Sequence, residues 1–574
     1  MQSLLDVSQL TVDFRSEEGL IRAVDDIHLS VHPGEIVGLV GESGSGKSVT
    51  SKTIMRLMPS NALVHSNSRV MLHHNNQDYN VLKLKGKQLN MVHGGVVSMI
   101  FQEPMASFAP AIRIGEQIIE TIQIHLGKSR DEARKIGIGL FERVGIPMPE
   151  QRFDQYVFEL SGGMRQRAMI AMALSTQPKL LIADEPTTAL DVTIQAQVLD
   201  LMLELREQLG MAMIFITHDL GVISKVADNV TVLKKGRVVE AGRAETVLRQ
   251  PQHAYTQQLL DALPHINELP PPPKDAGDPF VRIENLNIYF PMNSGGRHDK
   301  RQFHAVKDIN LTLPKGRIIG LVGESGSGKT TLGKALLGAT PISSGTIAFL
   351  GDQPLQFNHP KQIKRKTFAR IGQMIFQDPH ASLNPRMTVR DIIAEPLEAL
   401  KLCKDKAEID ARVKAIAARC HIEISHLRRF PHAFSGGQRQ RISIARALIC
   451  EPQFIVADES VAALDVSTQA EILKLLKSLR DEMGLTILFI SHDLSVIANL
   501  CDHVVVIRHG ELVEQGSVRD IFLQPQAAYT QQLIHSIPMI DPLEPCNTSS
   551  NASVLTPALN HLHTSDRRCD ASLK

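Results

Sequence analysis

GESGSGKS at residues 41–48, matched by GESGSGKT at 323–330, is the stretch that decides the fold. Each copy follows an apolar run, EIVGLV at 35–40 or RIIGLV at 317–322, and leads into a helix-forming segment such as SVTSKTIMRLM. An unbroken apolar run of this length suits a strand buried on both faces. The pattern GxxxxGK[ST] between a strand and a helix is a phosphate-binding loop. Its glycines let the backbone curl until the N–H groups point at phosphate oxygens, and the helix N-terminus adds a favourable dipole. Gly41, Ser43, Gly44 and Gly46 would shape this cradle, Lys47 would reach the outer phosphates and Ser48 would offer a hydroxyl to magnesium. Gly323, Ser325, Gly326, Gly328, Lys329 and Thr330 repeat the set. A chance glycine-rich turn can imitate one such loop, but hardly two in the same setting.

Working outward, the whole chain proves to be written twice. SGG at 161 returns at 435, ADE at 183 returns at 457, HDL at 218 returns at 492 and AYTQQL at 254 returns at 528, each 274 residues further on. A period this long means repeated domains, not a solenoid. We expect a first domain at 1–264 with a C-terminal extension, a Pro-rich linker at 265–279 around LPPPPKDAGDP, a second domain at 280–540 with its own extension, and a mobile Ser/Thr/Asn-rich tail at 541–574. Buried strands alternate with helical stretches in each copy, which argues for an α/β fold with a mostly parallel sheet.

At 574 residues the chain is too long for one hydrophobic core. Its formal net charge of +1 gives no cue for nucleic acid, and no run approaches the 18 or so apolar residues that cross a bilayer. The six cysteines (Cys403, Cys420, Cys450, Cys501, Cys546 and Cys569) all lie in the second half without a CxxC pair, as free thiols of a reducing compartment would.

LLIADE at 180–185 and FIVADE at 454–459 end apolar strands with a carboxylate pair. Phosphoryl transfer needs one carboxylate near a metal and another group near the attacking water. Asp184 and Asp458 fit the first role, Glu185 and Glu459 the second. LSGGMRQR at 160–167 and FSGGQRQR at 434–441 place Ser-Gly-Gly at a helix start, a further phosphate-binding N-terminus. Together with Gln102, Gln377, His218 and His492, the array resembles the ATP-binding cassette (ABC) superfamily over about residues 1–540.

The resemblance implies two tandem P-loop ATPase domains, each with a mostly parallel core sheet, an antiparallel β subdomain and a helical subdomain. It implies ATP and Mg2+ as ligands, with Ser48, Asp184, Thr330 and Asp458 at the metal. It also implies that the signature of one cassette completes the ATP site of the other. One site would combine Lys47, Ser48, Gln102, Asp184, Glu185 and His218 with Ser435, Gly436 and Gly437. The other would combine Lys329, Thr330, Gln377, Asp458, Glu459 and His492 with Ser161, Gly162 and Gly163, with Asp191 and Asp465 in the connecting loops. Phe14 and Phe290, at the ends of first strands, are candidates to stack on adenine, although packing in the core explains an aromatic there almost as well.

FQEPMASFAP at 101–110, FQDPHASLNP at 376–385 and PQHAYTQQLL at 251–260 look like the oligopeptide, dipeptide and nickel importer branch. Among its members with two fused cassettes the resemblance is to those that import glutathione. It implies an ATP-hydrolysing subunit at the cytoplasmic face of a bacterial inner membrane, two permease partners and, through them, a periplasmic binding protein. The cassettes would pair with each other or with those of a second copy. A soluble twin-cassette regulatory ATPase of the translation-factor type, or an importer of nickel chelates, is the alternative. The first cassette departs from the branch with SFAP where SLNP is usual, and HAYT and AAYT stand where HPYT is usual. Some branch members hold an iron–sulfur cluster near that region; the first half here lacks cysteine, so no cluster is expected. ADEPTTALDV at 183–192 becomes ADESVAALDV at 457–466, which keeps every phosphate, metal and water ligand, so two hydrolysis-competent sites are expected, with their equality left open by the altered turn.

Overall fold

Two long strands, β1 (Leu5–Ser16) and β2 (Gly19–Val31), pair antiparallel at the start of the chain. The apolar run before the first glycine loop is β3 (Ile36–Val40), buried along its whole length. β4 (Ala62–Val64), β5 (Arg69–His74) and β6 (Gln77–Asn80) extend the antiparallel sheet in the order β2-β1-β5-β6, with β4 also on β1. β7 (Val97–Ile100), β8 (Leu180–Asp184), β9 (Ala212–Ile216), β10 (Asn229–Lys234) and β11 (Arg237–Arg243) join β3 in a second sheet, ordered β11-β10-β3-β9-β8-β7. Its pairs are parallel except for the β10–β11 hairpin at one edge.

The second cassette repeats this plan. β12 (Pro279–Pro291), β13 (Gln302–Pro314), β15 (Ser344–Phe349) and β16 (Leu355–Phe357) form the antiparallel sheet, and β14 (Ile318–Val322) lies in the core. The core sheet adds β17 (Gly372–Ile375), β18 (Phe454–Asp458), β19 (Thr486–Ile490), β20 (His503–Arg508) and β21 (Glu511–Ser517), in the order β17-β18-β19-β14-β20-β21. The expected α/β class with an antiparallel β subdomain is therefore present in both copies.

Between β7 and β8 the chain is helical: Ile114–Leu126, Arg130–Arg143, Pro149–Phe153 and then Gly162–Leu174. The second of these starts on a reciprocal cap in which the Ser129 hydroxyl accepts from the Glu132 N–H and the Glu132 carboxylate accepts from the Ser129 N–H. Phe141 and Phe153, both fully buried, meet edge to face with centroids 5.2 Å apart and hold this subdomain together. Val389–Ala399, Lys406–Arg419 and Gly436–Leu448 are the counterparts in the second cassette.

One face of each core sheet packs on its antiparallel sheet. In the first cassette Leu5, Leu10 and Ile27 meet Val37, Leu39, Ile182 and Ile214. In the second, Phe280 and Phe349 meet Phe454 of β18 with centroids 6.4 and 5.6 Å away, so aromatics fill what aliphatics fill in the first. This packing fixes the carboxyl ends of β3, β8 and β9, and of β14, β18 and β19, where loops leave the sheet. In open parallel sheets that is where ligands bind.

The computed structural model describes residues 2–16, 19–102, 104–187, 192–261, 269, 277–291, 302–351, 354–462 and 464–537. Asp191, most of the expected linker and the expected tail at 541–574 lie outside the described residues. Residues Met1–Met539 form one compact unit. Among the described residues no helix is long and apolar enough to cross a membrane.

Candidate functional site

Each glycine loop folds tightly at the end of its strand. Gly41 and Gly323 adopt φ of 147° and 150°, and a Cβ there would stand 2.2 Å from the Leu233 carbonyl oxygen or 2.1 Å from that of Ile507. Glycine is therefore required by a close backbone approach, not by flexibility alone. Lys47 Nζ donates to the Gly41 and Glu42 carbonyls at 2.6 and 2.8 Å; Lys329 Nζ donates to those of Gly323 and Glu324 at 2.7 and 2.8 Å. Both ammonium groups thus curl over their own loops at the start of the following helix. Burial lowers the pKa of Lys47, opposed by the nearby carboxylates of Glu185, Asp184 and Asp465.

The carboxylates meet the loop from the end of β8 or β18. Ser48 Oγ donates to Asp184 Oδ1 at 3.3 Å, and Thr330 Oγ1 donates to Asp458 Oδ1 at 3.0 Å. Burial raises the pKa of both aspartates, while these hydroxyl bonds pull the other way. A hydroxyl and a buried carboxylate converging in this way offer hard oxygen donors, the type that suits a small divalent cation bridged to phosphate. No group of three or more His, Cys, Asp or Glu gathers into a metal site among the described residues, and two protein donors are what such a cation needs when phosphates and water supply the rest.

Glu185 and Glu459 hold a left-handed backbone, φ 48° and 43°, that a glutamate adopts only when its surroundings impose it. The imposition is visible: each N–H donates to the last carbonyl of the neighbouring strand, Ile216 or Ile490, at 2.9 Å. Gln102 Nε2 donates to Glu185 at 2.7 Å and Gln377 Nε2 to Glu459 at 2.6 Å. His218 Nδ1 and His492 Nδ1 each lie 3.4 Å from the other oxygen of their glutamate. The two acidic sites are therefore near-copies despite the changes in the turn that follows.

The turns themselves differ. In the first cassette Gln166 Nε2 donates to the Pro186 carbonyl. In the second, Gln440 is fully buried with neither amide atom hydrogen-bonded among the described residues, and the buried Ser460 hydroxyl is likewise unpaired. The glutamine that ties the turn after β8 in the first cassette is thus without that bond in the second, although Ser460 keeps a backbone carbonyl at the position of Pro186.

Burial opposes charge on His218 and His492, but the hydrogen bond and charge of Glu185 or Glu459 outweigh it and raise both pKa values. The hydrogen bond from His492 in turn lowers that of Glu459. A raised native histidine pKa stabilises the fold fully below the unfolded value of about 6.5 and ceases to do so as pH rises through the native value. We expect the thermal midpoint of the wild-type protein to drop between about pH 6 and pH 8 by more than that of His218→Ala/His492→Ala. Parallel pH profiles measured by scanning calorimetry would contradict these two pairings.

Ser161 and Ser435 each cap the helix of their own signature, accepting from the Met164 and Gln438 N–H groups, and Gly162, Gly163, Gly436 and Gly437 form its first turn. From the second cassette, Val466 lines a small cavity with Gly41, Glu42, His218, Leu220 and Leu259, which places the second ALDV segment against the first phosphate loop. Phe14 is half-buried and packs on the first cassette's core, whereas Phe290 is exposed beside Tyr289, whose ring stacks on His304 at 4.0 Å. The two aromatics are thus not equivalent. What sequence reading missed is a tyrosine from each C-terminal extension that reaches the phosphate loop, Tyr255 to Glu42 and Tyr529 to Glu324. The repeat of AYTQQL at 254 and 528 was the available signal.

Residues 24–188 and 306–462 match the ABC transporter family, and residues 239–277 and 513–559 match the family described as oligopeptide/dipeptide transporter, C-terminal region. The chain therefore belongs to the ABC transporter family, as a twin-cassette ATPase coupled to transport. It is 44% identical over 545 residues to the peptidoglycan transport ATP-binding protein YejF of Agrobacterium fabrum, covering 95% of this chain and 98% of that protein. It is 42% identical over 566 residues to the glutathione import ATP-binding protein GsiA of Escherichia coli K12, covering 94% and 90%. Importer ATPases of this family act with permease partners and paired cassettes.

Proposed function

We propose that this chain is the ATP-hydrolysing subunit of an importer for glutathione or other short peptides. It would sit at the cytoplasmic face of a bacterial inner membrane, held there by two permease subunits that receive substrate from a periplasmic binding protein. The observation that carries this reading is the oligopeptide/dipeptide C-terminal region following both cassettes, each of which has a full set of catalytic side chains. The same region argues against a translation-factor type ATPase.

In this reading the loop N–H groups with Lys47 and Lys329 bind the outer phosphates. Glu185 and Glu459 accept a proton from the attacking water, Gln102 and Gln377 orient those carboxylates, and His218 and His492 hold their second oxygens. Ser48 with Asp184, and Thr330 with Asp458, would hold Mg2+, whose positive charge would offset that of the phosphates. Ser435, Gly436 and Gly437 complete the first site and Ser161, Gly162 and Gly163 the second, so that two ATP molecules join the cassettes and hydrolysis parts them. Phe14 and Phe290 remain the proposed adenine contacts, and the domain limits at 264 and 280 follow the repeat.

Cells lacking the chain should lose uptake of labelled glutathione or a labelled tripeptide. The wild-type chain should restore it and Lys47→Ala should not, at equal abundance. Restored uptake by Lys47→Ala, or co-sedimentation of the protein with ribosomes in place of membranes, would overturn the proposal.

A further inference from the structure

AYTQQL lies outside the phosphate, carboxylate and signature motifs, yet in both cassettes its tyrosine touches the phosphate loop. The Glu42 N–H donates to Tyr255 Oη at 3.2 Å, and the Glu324 N–H donates to Tyr529 Oη at 3.1 Å. Each of these N–H groups shares a peptide unit with the carbonyl of Gly41 or Gly323. That same carbonyl accepts from Lys47 Nζ at 2.6 Å or Lys329 Nζ at 2.7 Å. One rigid peptide plane therefore carries a tyrosine on its N–H end and the phosphate-loop lysine on its C=O end. Because the unit is planar, turning it away from one partner turns it away from the other, and hydrogen bonds chained through one peptide polarise each other.

The tyrosines are themselves firmly held. Both rings are buried, and each has a cation over its face: Lys234 Nζ at 4.2 Å from Tyr255 and the Arg508 guanidinium at 4.6 Å from Tyr529. Entry into the helices Ala254–Asp261 and Ala528–His535 is fixed from the hairpin edge of the core sheet. Glu240 accepts from the Gln252 and His253 N–H groups, and Glu514 from those of Gln526 and Ala527. The bracket survives the change from His253 to Ala527 intact. Burial pushes the Tyr255 phenol up to about 12, which keeps it a neutral hydroxyl at working pH.

We propose that Tyr255 and Tyr529 are positioning residues for ATP hydrolysis: the C-terminal extension of each cassette locks the Gly41–Glu42 or Gly323–Glu324 peptide and so aims Lys47 or Lys329 at the outer phosphates. Leu259, one turn along the same helix, lines a small cavity with Val466 of the second cassette, so the helix that carries Tyr255 lies beside the other cassette. This inference rests on the proposed ATPase chemistry.

The test is a double-mutant cycle on the full chain assembled with its permeases, read as kcat and KM for ATP hydrolysis and as the affinity for MgATP. Tyr255→Phe/Tyr529→Phe keeps both rings and removes both hydroxyls. Its affinity for MgATP should fall by about tenfold, the scale of one hydrogen bond from a charged group weakened when the lysine is no longer aimed at the phosphates. In the Lys47→Met/Lys329→Met background the same two substitutions should change affinity by less than about twofold, because the tyrosines act through the lysines. A retained affinity in the first variant, or an equal loss in both backgrounds, would overturn the proposal. Full hydrolysis by Lys47→Met/Lys329→Met alone would instead overturn the ATPase assignment of these loops. Calorimetric midpoints of the Phe variants within a few degrees of wild type establish that the fold is intact.

Discussion

Glu185→Gln combined with Glu459→Gln should lower steady-state ATP hydrolysis by about 10²- to 10⁴-fold, the usual contribution of a positioned general base, while MgATP still binds. Glutamine matches glutamate in shape and can still meet Gln102 or Gln377, but it cannot take a proton from water. The strained φ of 48° and 43°, fixed by the Ile216 and Ile490 carbonyls, indicates that the carboxylate position is set in advance of substrate binding. Phosphate release from the purified complex gives the rate, and fluorescence of a bound ATP analogue gives the affinity. Loss of both together would mean that these residues build the site instead of acting in it.

The single variants decide whether the second copy works. Glu459 has the same three partners that Glu185 shows among the described residues: a glutamine at 2.6 Å, a histidine at 3.4 Å and the strand carbonyl at 2.9 Å. What changes lies behind it, where Gln440 and Ser460 are buried without the bond that Gln166 makes to Pro186. Buried amides without partners loosen their surroundings more than they alter a carboxylate a residue away. Glu459→Gln alone should therefore cut hydrolysis at least about twofold, with Glu185→Gln costing a comparable amount. Hydrolysis unchanged in Glu459→Gln would retire the second site.

Much of this was legible in the sequence because the informative residues sit close together in it. A glycine loop between an apolar run and a helix names its own backbone geometry, and an apolar strand ending in Asp-Glu names its own position. The repeat then turned single weak signals, such as Gln102 or His218, into strong ones. Contacts between distant segments were not legible. Tyr255 and Glu42 are 213 residues apart, and nothing local in AYTQQL says that its phenol ends on a phosphate loop. Nor does the local pattern distinguish Phe14, packed on the core, from Phe290, left exposed, since both end first strands of the same type. Aromatic stacking on a ligand and aromatic packing on a sheet draw on the same residue type. Gln440, without a hydrogen bond among the described residues, was hidden for a related reason: its motif, FSGGQRQR, is intact, and what changes lies across the fold at the altered turn.

Gly41→Ala with Gly323→Ala should weaken MgATP binding by more than about a hundredfold, and Gly44→Ala with Gly326→Ala by only about tenfold. Both pairs of glycines have positive φ: 147° and 150° in the first pair, 76° and 80° in the second. Strain of this kind costs about 1–3 kcal/mol for a residue with a Cβ and enters both variants, at its larger end where φ is near 150°. The pairs differ in what the new methyl group meets. At Gly44 and Gly326 nothing lies within 4 Å. At Gly41 and Gly323 the methyl would stand 2.2 and 2.1 Å from the carbonyl oxygens of Leu233 and Ile507. Those oxygens belong to β10 and β20, whose preceding residues Val232 and Val506 pair with Val40 and Val322 of the parallel neighbour while Leu233 and Ile507 pair with the antiparallel one, so the strand yields less readily than the loop. A loop displaced there carries the Gly41–Glu42 peptide away from Lys47 and from Tyr255 in one movement, which adds loss of the lysine's aim to the cost of the clash. Titration of both variants with a fluorescent ATP analogue separates the two terms. Equal losses in the two variants would mean that backbone strain alone governs the loop and that the close approach to β10 and β20 does not hold the lysine in place.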